Sequence, residues 1–91
     1  MQRTVAQDAG SKMESAYVLI NCTLGSEGSI MGELKSIPSI IEVRGVFGNY
    51  DILAKIEVSS VESLRETIAL RIRKIPCISS TTTIICSKLT V

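Results

Sequence analysis

The sequence contains no histidine and no tryptophan, and its aromatics are confined to Tyr17, Phe47 and Tyr50. Without histidine the commonest general base and metal ligand is missing. The carboxylates beyond Ser15 are scattered, and Glu27, Glu33, Glu62 and Glu66 read as the solvated faces of helices. Neither an enzyme nor a metal site is expected, and no cofactor is implied. The formal net charge of +1 removes two further classes. There is no basic excess of the kind that tracks a nucleic-acid backbone, and no acidic excess of the kind that keeps a chain unfolded. With so few aromatics the sheet also lacks the stacking platform of single-strand RNA readers. No apolar run approaches the ~18 residues that would cross a membrane.

Cysteine is sparse and odd in number. Cys22, Cys77 and Cys86 lie in or beside apolar segments without a CxxC spacing. They read as small buried hydrophobes in a reducing compartment, which favours a cytoplasmic location over a disulfide framework. Residues 1–15 lack the apolar centre of a signal peptide and show no periodicity. They are expected to be a disordered tail or a cloning remnant, leaving 16–91 as the single domain, with Met13 as an alternative start.

What the chain has is aliphatic residues, and a repeat. Hydrophobic residues make up 45% of the sequence against 3% aromatic, so the core must be built from Ile, Leu and Val. The only two prolines occur in equivalent places, in Ile37-Pro38-Ser39-Ile40 and again in Ile75-Pro76-Cys77-Ile78. Each copy closes the same succession of strand, helix and turn. Ala16 to Leu24 alternates as a strand, with Val18, Ile20, Cys22 and Leu24 on one face and Tyr17, Leu19, Asn21 and Thr23 on the other. Ser26 is the expected N-cap of a helix over Glu27 to Ile37, which Pro38 stops. Ile41 to Phe47 is the second strand, with a bulge expected at Gly45. Gly48-Asn49 signals a hairpin, since both residues tolerate positive φ. Ile52 to Val58 is the third strand. Ser59 with Glu62 forms a capping box ahead of a helix over Val61 to Ile75, where Val61, Leu64, Ile68, Ile72 and Ile75 make an apolar stripe. Thr81 to Leu89 is the fourth strand.

The order βαββαβ predicts an α+β, ferredoxin-like fold: a four-stranded antiparallel sheet with two helices on one face. Right-handed crossovers put both helices on that same face. The opposite face would then carry Leu19, Val46, Leu53 and one of Ile84 or Ile85 into water, an apolar surface best covered by the sheet of a second copy.

Three features are weighed as binding chemistry. Asp51 stands where the hairpin rejoins the third strand; it reads first as a turn carboxylate accepting backbone N–H groups, and second as a partner for a ligand amine. Arg71, Arg73 and Lys74 gather at the end of the second helix, where cations complement the helix dipole. The run Ser79-Ser80-Thr81-Thr82-Thr83 is a β-prone entry to the fourth strand. It also supplies five hydroxyls able to donate to a carboxylate and accept from an amine.

The stretch Phe47-Gly48-Asn49-Tyr50-Asp51-Ile52-Leu53-Ala54-Lys55, with Ile75-Pro76-Cys77-Ile78 and Thr81-Thr82-Thr83, resembles the effector-binding domain of the Lrp/AsnC family of transcription regulators. That module is also called the RAM domain, for regulation of amino-acid metabolism. The family pattern is G-[DN]-[YF]-D before an apolar strand, then [LI]-P-x-[VI] leading to T-x-T. The resemblance covers Ala16 to about Leu89.

It implies the fold already derived, dimers that pair their sheets, and rings of dimers, often octameric, with an amino acid or related small metabolite bound between dimers. The implied effector-binding residues are Gly48, Asn49, Tyr50 and Asp51 as a hairpin wall, with Thr81 and Thr83 as a hydroxyl wall and Asp51 as the amine partner. On that reading Asp51→Ala abolishes the response to ligand and leaves the fold intact. The family's helix-turn-helix domain has no counterpart in residues 1–15, so the chain resembles the stand-alone members. It is expected not to contact DNA itself, and to act alone or by co-assembly with full-length regulators. Cys77 departs from the glycine that the family often places after this proline. Two rivals are kept: a small-metabolite enzyme of the dimeric α/β-barrel type, and an interaction module that binds no ligand.

Overall fold

The computed structural model describes residues 13–86. Its elements are β1 (Glu14–Cys22), α1 (Glu27–Lys35), β2 (Ile40–Gly45), β3 (Ile52–Val58), α2 (Val61–Glu66, running on as a π-helical segment over Thr67–Ile72) and β4 (Ile78–Ile85). The strands form one sheet in the order β2-β3-β1-β4, with every neighbouring pair antiparallel. This is the ferredoxin-like arrangement that the repeat predicts.

Period-two alternation decides which side of the sheet is dry. Ala16, Val18 and Ile20 of β1 pair with Ile56, Ala54 and Ile52 of β3, and all six are fully buried. Against them pack Ile30, Leu34 and Ile37 from α1 and its exit, and Leu64, Ile72 and Ile75 from α2 and its exit. The core is wholly aliphatic; among the described residues no polar or charged side chain is buried in it. The two halves also stop their helices alike. Ile37 N–H donates to Leu34 O and Ile75 N–H to Ile72 O, each at 3.0 Å, a tightened last turn that spends two orphan carbonyls before the proline.

Several boundaries differ from the sequence-based expectation. β1 begins at Glu14, which pairs with Val58, and ends at Cys22; Leu24 lies beyond it in the turn, 91% exposed. The irregularity in β2 falls between Ile40 and Glu42 and not at Gly45. It turns Ile41 outward and lets Ile40 and Val43 face the helices. The N-cap of α2 is Ser60, whose hydroxyl accepts from Ser63 N–H at 3.0 Å, one residue after the expected capping box. Ser26 is in the N-cap position of α1 but donates its hydroxyl to Thr23 O. β4 starts at Ile78, and the end expected for it at Leu89 lies outside the described residues. Among the described residues no helix is long and apolar enough to cross a membrane.

The register settles the outer face. Tyr17 pairs with Ile84 and Ala16 with Ile85, so Ile84 joins Tyr17, Leu19 and Leu53 on the open side while Ile85 turns to the helix side. Glu42 and Arg44 form an ion pair at the β2 margin of that open face, and Lys55 Nζ stands 5.6 Å above the Tyr17 ring.

The hairpin and the hydroxyl strand

The β2–β3 hairpin is closed by Val46 N–H donating to Asp51 O at 2.9 Å. Gly48 provides its tight point with φ of +108°, a conformation that costs an L side chain strain wherever space allows one. Asp51 then fastens the hairpin to β1 twice. Its backbone N–H donates to Ile20 O at 2.9 Å, and its carboxylate Oδ2 accepts from Cys22 N–H at 3.0 Å. The turn-carboxylate role read from the sequence is therefore the one its Oδ2 performs. The same carboxylate also accepts a side-chain hydrogen bond from the Cys22 thiol.

Asp51 also borders the Cys22 thiol. Burial pushes the pKa of that thiol up, and the Asp51 and Glu27 carboxylates push in the same direction against a hydrogen bond from Ser26. Cys22 is thus held as a neutral thiol, whereas Cys77 is exposed.

The hairpin meets the hydroxyl run through Tyr50. Its hydroxyl donates to Thr82 Oγ1 at 3.4 Å, reaching over the end of β1 on the open side of the sheet. Beside it, Asn21 Nδ2 donates to Ser80 Oγ at 3.3 Å. A polar corner of Asn21, Tyr50, Ser80 and Thr82 thus borders the apolar patch of Leu19, Leu53 and Ile84. The residues expected to form the hydroxyl wall fall elsewhere. Thr81 pairs with Ile20 and Thr83 with Val18, which puts both on the helix side of β4. Within one chain the structure gathers Gly48, Asn49, Tyr50 and Asp51 into one hairpin; it does not bring Thr81 and Thr83 onto the face where Tyr50 meets β4.

Sequence reasoning singled out Ser80 and Thr82 only as members of the hydroxyl run, and did not single out Asn21. The signal was parity: once β4 is started at Ile78 and paired with β1, every second hydroxyl joins the tyrosine. Among the described residues no three His, Cys, Asp or Glu side chains converge as metal ligands would.

Comparison with known proteins places these features. The family model of the Lrp/AsnC ligand-binding domain matches residues 15–91. No curated protein matches the chain. Among solved structures, FFRP-DM1 is 32% identical with a TM-score of 0.79, over 81% of this chain and 99% of that one. AsnC of E. coli is 21% identical with a TM-score of 0.83, over 100% of this chain and 61% of that one. A Neisseria meningitidis transcriptional regulator solved as its L-Met complex is 7% identical with a TM-score of 0.77, over 97% of this chain and 58% of that one. The last two likenesses concern the fold alone. With a family model spanning nearly its whole length, and a corner where hairpin and hydroxyl strand meet, the chain belongs to the Lrp/AsnC ligand-binding domain family.

Proposed function

We propose that this chain is an effector-binding and oligomerisation module that senses an amino acid or a closely related metabolite, in the regulation of amino-acid metabolism or of transcription. The observation that carries the reading is the part-exposed Asp51 carboxylate at the end of a hairpin pinned in place by three hydrogen bonds. A carboxylate held in place by a backbone N–H presents a preorganised acceptor to an ammonium group, and such charge-assisted bonds are roughly twice as strong as neutral ones. The backbone N–H groups of Gly48 and Asn49 and the hydroxyls of β4 offer donors to the ligand's carboxylate.

The effector-binding residues on this reading are Gly48, Asn49, Tyr50 and Asp51, with Thr81 and Thr83. Since the register turns the two threonines to the helix side of the edge strand, they are assigned to a wall that the hairpin of a neighbouring chain completes. A site divided between chains makes ligand and assembly interdependent, because ligand favours whichever arrangement brings both walls together. The dimer would form through the open sheet face, where Tyr17, Leu19, Leu53 and Ile84 leave an aliphatic patch. Dimers would then join into a larger ring, up to an octamer, and full-length regulators carrying the same domain are candidate co-assembly partners. Recognition of DNA is not part of the role proposed for this segment. The bound amino acid of the Neisseria regulator supports this ligand class.

The test is calorimetric titration of the effector into the native chain and into Asp51→Asn. A loss of tenfold or more in affinity in the variant is expected; equal affinity would remove Asp51 from the site.

A further inference from the structure

β4 is an edge strand, and α2 packs chiefly on β3 and β1. Between α2 and the helix side of β4 there remains a groove of about 350 Å³. Leu64, Ile68, Ala69 and Ile85 make it apolar, and Thr83 with the exposed Arg65 and Arg73 completes its lining. Among the described residues no acidic side chain lines it and neither arginine has an ion-pair partner; the ion pair there, Arg44 with Glu42, lies on the other face of the sheet.

Arg73 alone would be explained by the helix C-terminus, where a cation is favoured. Arg65 stands well before that end, so the dipole does not account for the pair. The π-helical segment contributes as well. Arg73 N–H donates to Ile68 O at 2.9 Å, five residues back, so Arg73 stacks over Ile68 and not over Ala69 as α-helical spacing would have it.

We infer that this groove is a second ligand site, distinct from the hairpin corner, for an aliphatic monocarboxylate that carries no amino group. The class follows from the lining. Two exposed arginines and a threonine beside the groove are within the chemistry that recognises one carboxylate, and four aliphatic side chains suit an alkyl tail. The missing carboxylate means an ammonium group would go unmatched there. The volume lies at the small end of the ~300–1,000 Å³ typical of ligand pockets, which fits a medium-length chain better than a ring system. Because Thr83 lines both the groove and the wall assigned to a neighbouring hairpin, a metabolite bound here would act on the same assembly as the effector.

The experiment is a titration of the full chain with sodium octanoate, followed by methyl and amide NMR. Shifts concentrated on Ile68, Ala69 and Ile85 are expected. Binding should weaken at least tenfold in the Arg65→Gln/Arg73→Gln double variant, be blocked by Ala69→Phe, and be unchanged in Asp51→Asn. Octan-1-ol should bind at least tenfold more weakly than octanoate. No shifts, shifts at Tyr50 and Asp51 in place of the groove, or equal binding of the alcohol would each overturn the inference. So would a groove silent to octanoate in which Ala69→Phe alters the assembly mass, which would assign the groove to a second copy of the chain. Because Asp51→Asn separates the two sites, failure here leaves the amino-acid reading standing, and the reverse also holds.

Discussion

The Asp51 carboxylate accepts the backbone N–H of Cys22 at 3.0 Å, while the Asp51 backbone N–H donates to Ile20 at 2.9 Å. One residue therefore ties the hairpin to the end of β1 through both its backbone and its carboxylate, the group that the proposed function assigns to a ligand amine. Removing the side chain acts on both roles. Asp51→Ala is expected to lower stability by about 1 kcal/mol, through loss of the acceptor for a part-buried N–H, so the substitution is not silent for the fold as the family resemblance alone suggested. Asp51→Asn keeps an acceptor oxygen and should lose less than half as much in a urea midpoint measurement. An equal loss in both variants would show that the charge, and not the acceptor, matters to the fold.

The open sheet face predicts its own mutant. Leu53 lies in the middle of that face and is only half-buried in one chain, so an aspartate there is tolerated by the folded monomer. It is not tolerated in a sheet-to-sheet interface, where an unpaired carboxylate must be stripped of water at a cost of several kcal/mol. Leu53→Asp should reduce the mass seen by light scattering to that of a monomer while the far-ultraviolet spectrum persists. An unchanged assembly mass would place the interface elsewhere.

Cys77 has φ of +74°, the left-handed region that costs a residue with a Cβ roughly 1–2 kcal/mol. Cys77→Gly should relieve that strain, offset in part by the greater freedom glycine has in the unfolded chain. A net gain of about 0.5–1 kcal/mol is expected, read as a rise of a few degrees in the thermal midpoint. A fall would mean that the thiol makes a contact worth more than the strain.

Much of the fold was legible because β1 and β3 obey strict alternation over their whole length, and because Pro38 and Pro76 mark equivalent helix ends. The misread places are those where a partner decides. The bulge between Ile40 and Glu42 depends on how β2 meets Ile56 and Lys55 of β3, and Gly45 offered a louder local signal. Ser79 and Ser80 serve turns and strands equally well, and it is pairing with β1 that makes them strand. The choice between Thr82 and its neighbours turned on the same starting point, since one residue of register exchanges the faces. Ser59 and Ser60 pose the same problem at the start of α2. Ser60→Ala should cost about 1 kcal/mol as the loss of an N-cap, and Ser59→Ala close to nothing; a reversed order in thermal denaturation would restore the expected capping box. The π-helical turn at Thr67–Ile72 has no local signature that we can identify, and with it the arginine-lined groove was out of reach of the sequence.

The account rests on a ligand that binds between chains, and one measurement reaches it directly: a thermal-shift screen of the native protein against the twenty amino acids, with assembly mass followed by light scattering in the same samples. At a hundredfold excess over its dissociation constant a ligand stabilises by ~2.7 kcal/mol, which is easily seen in a domain of this size. The account predicts that one amino acid, or a chemically related few, raises the midpoint by several degrees and changes the assembly mass. No shift with any of the twenty, in a protein already assembled, would contradict it.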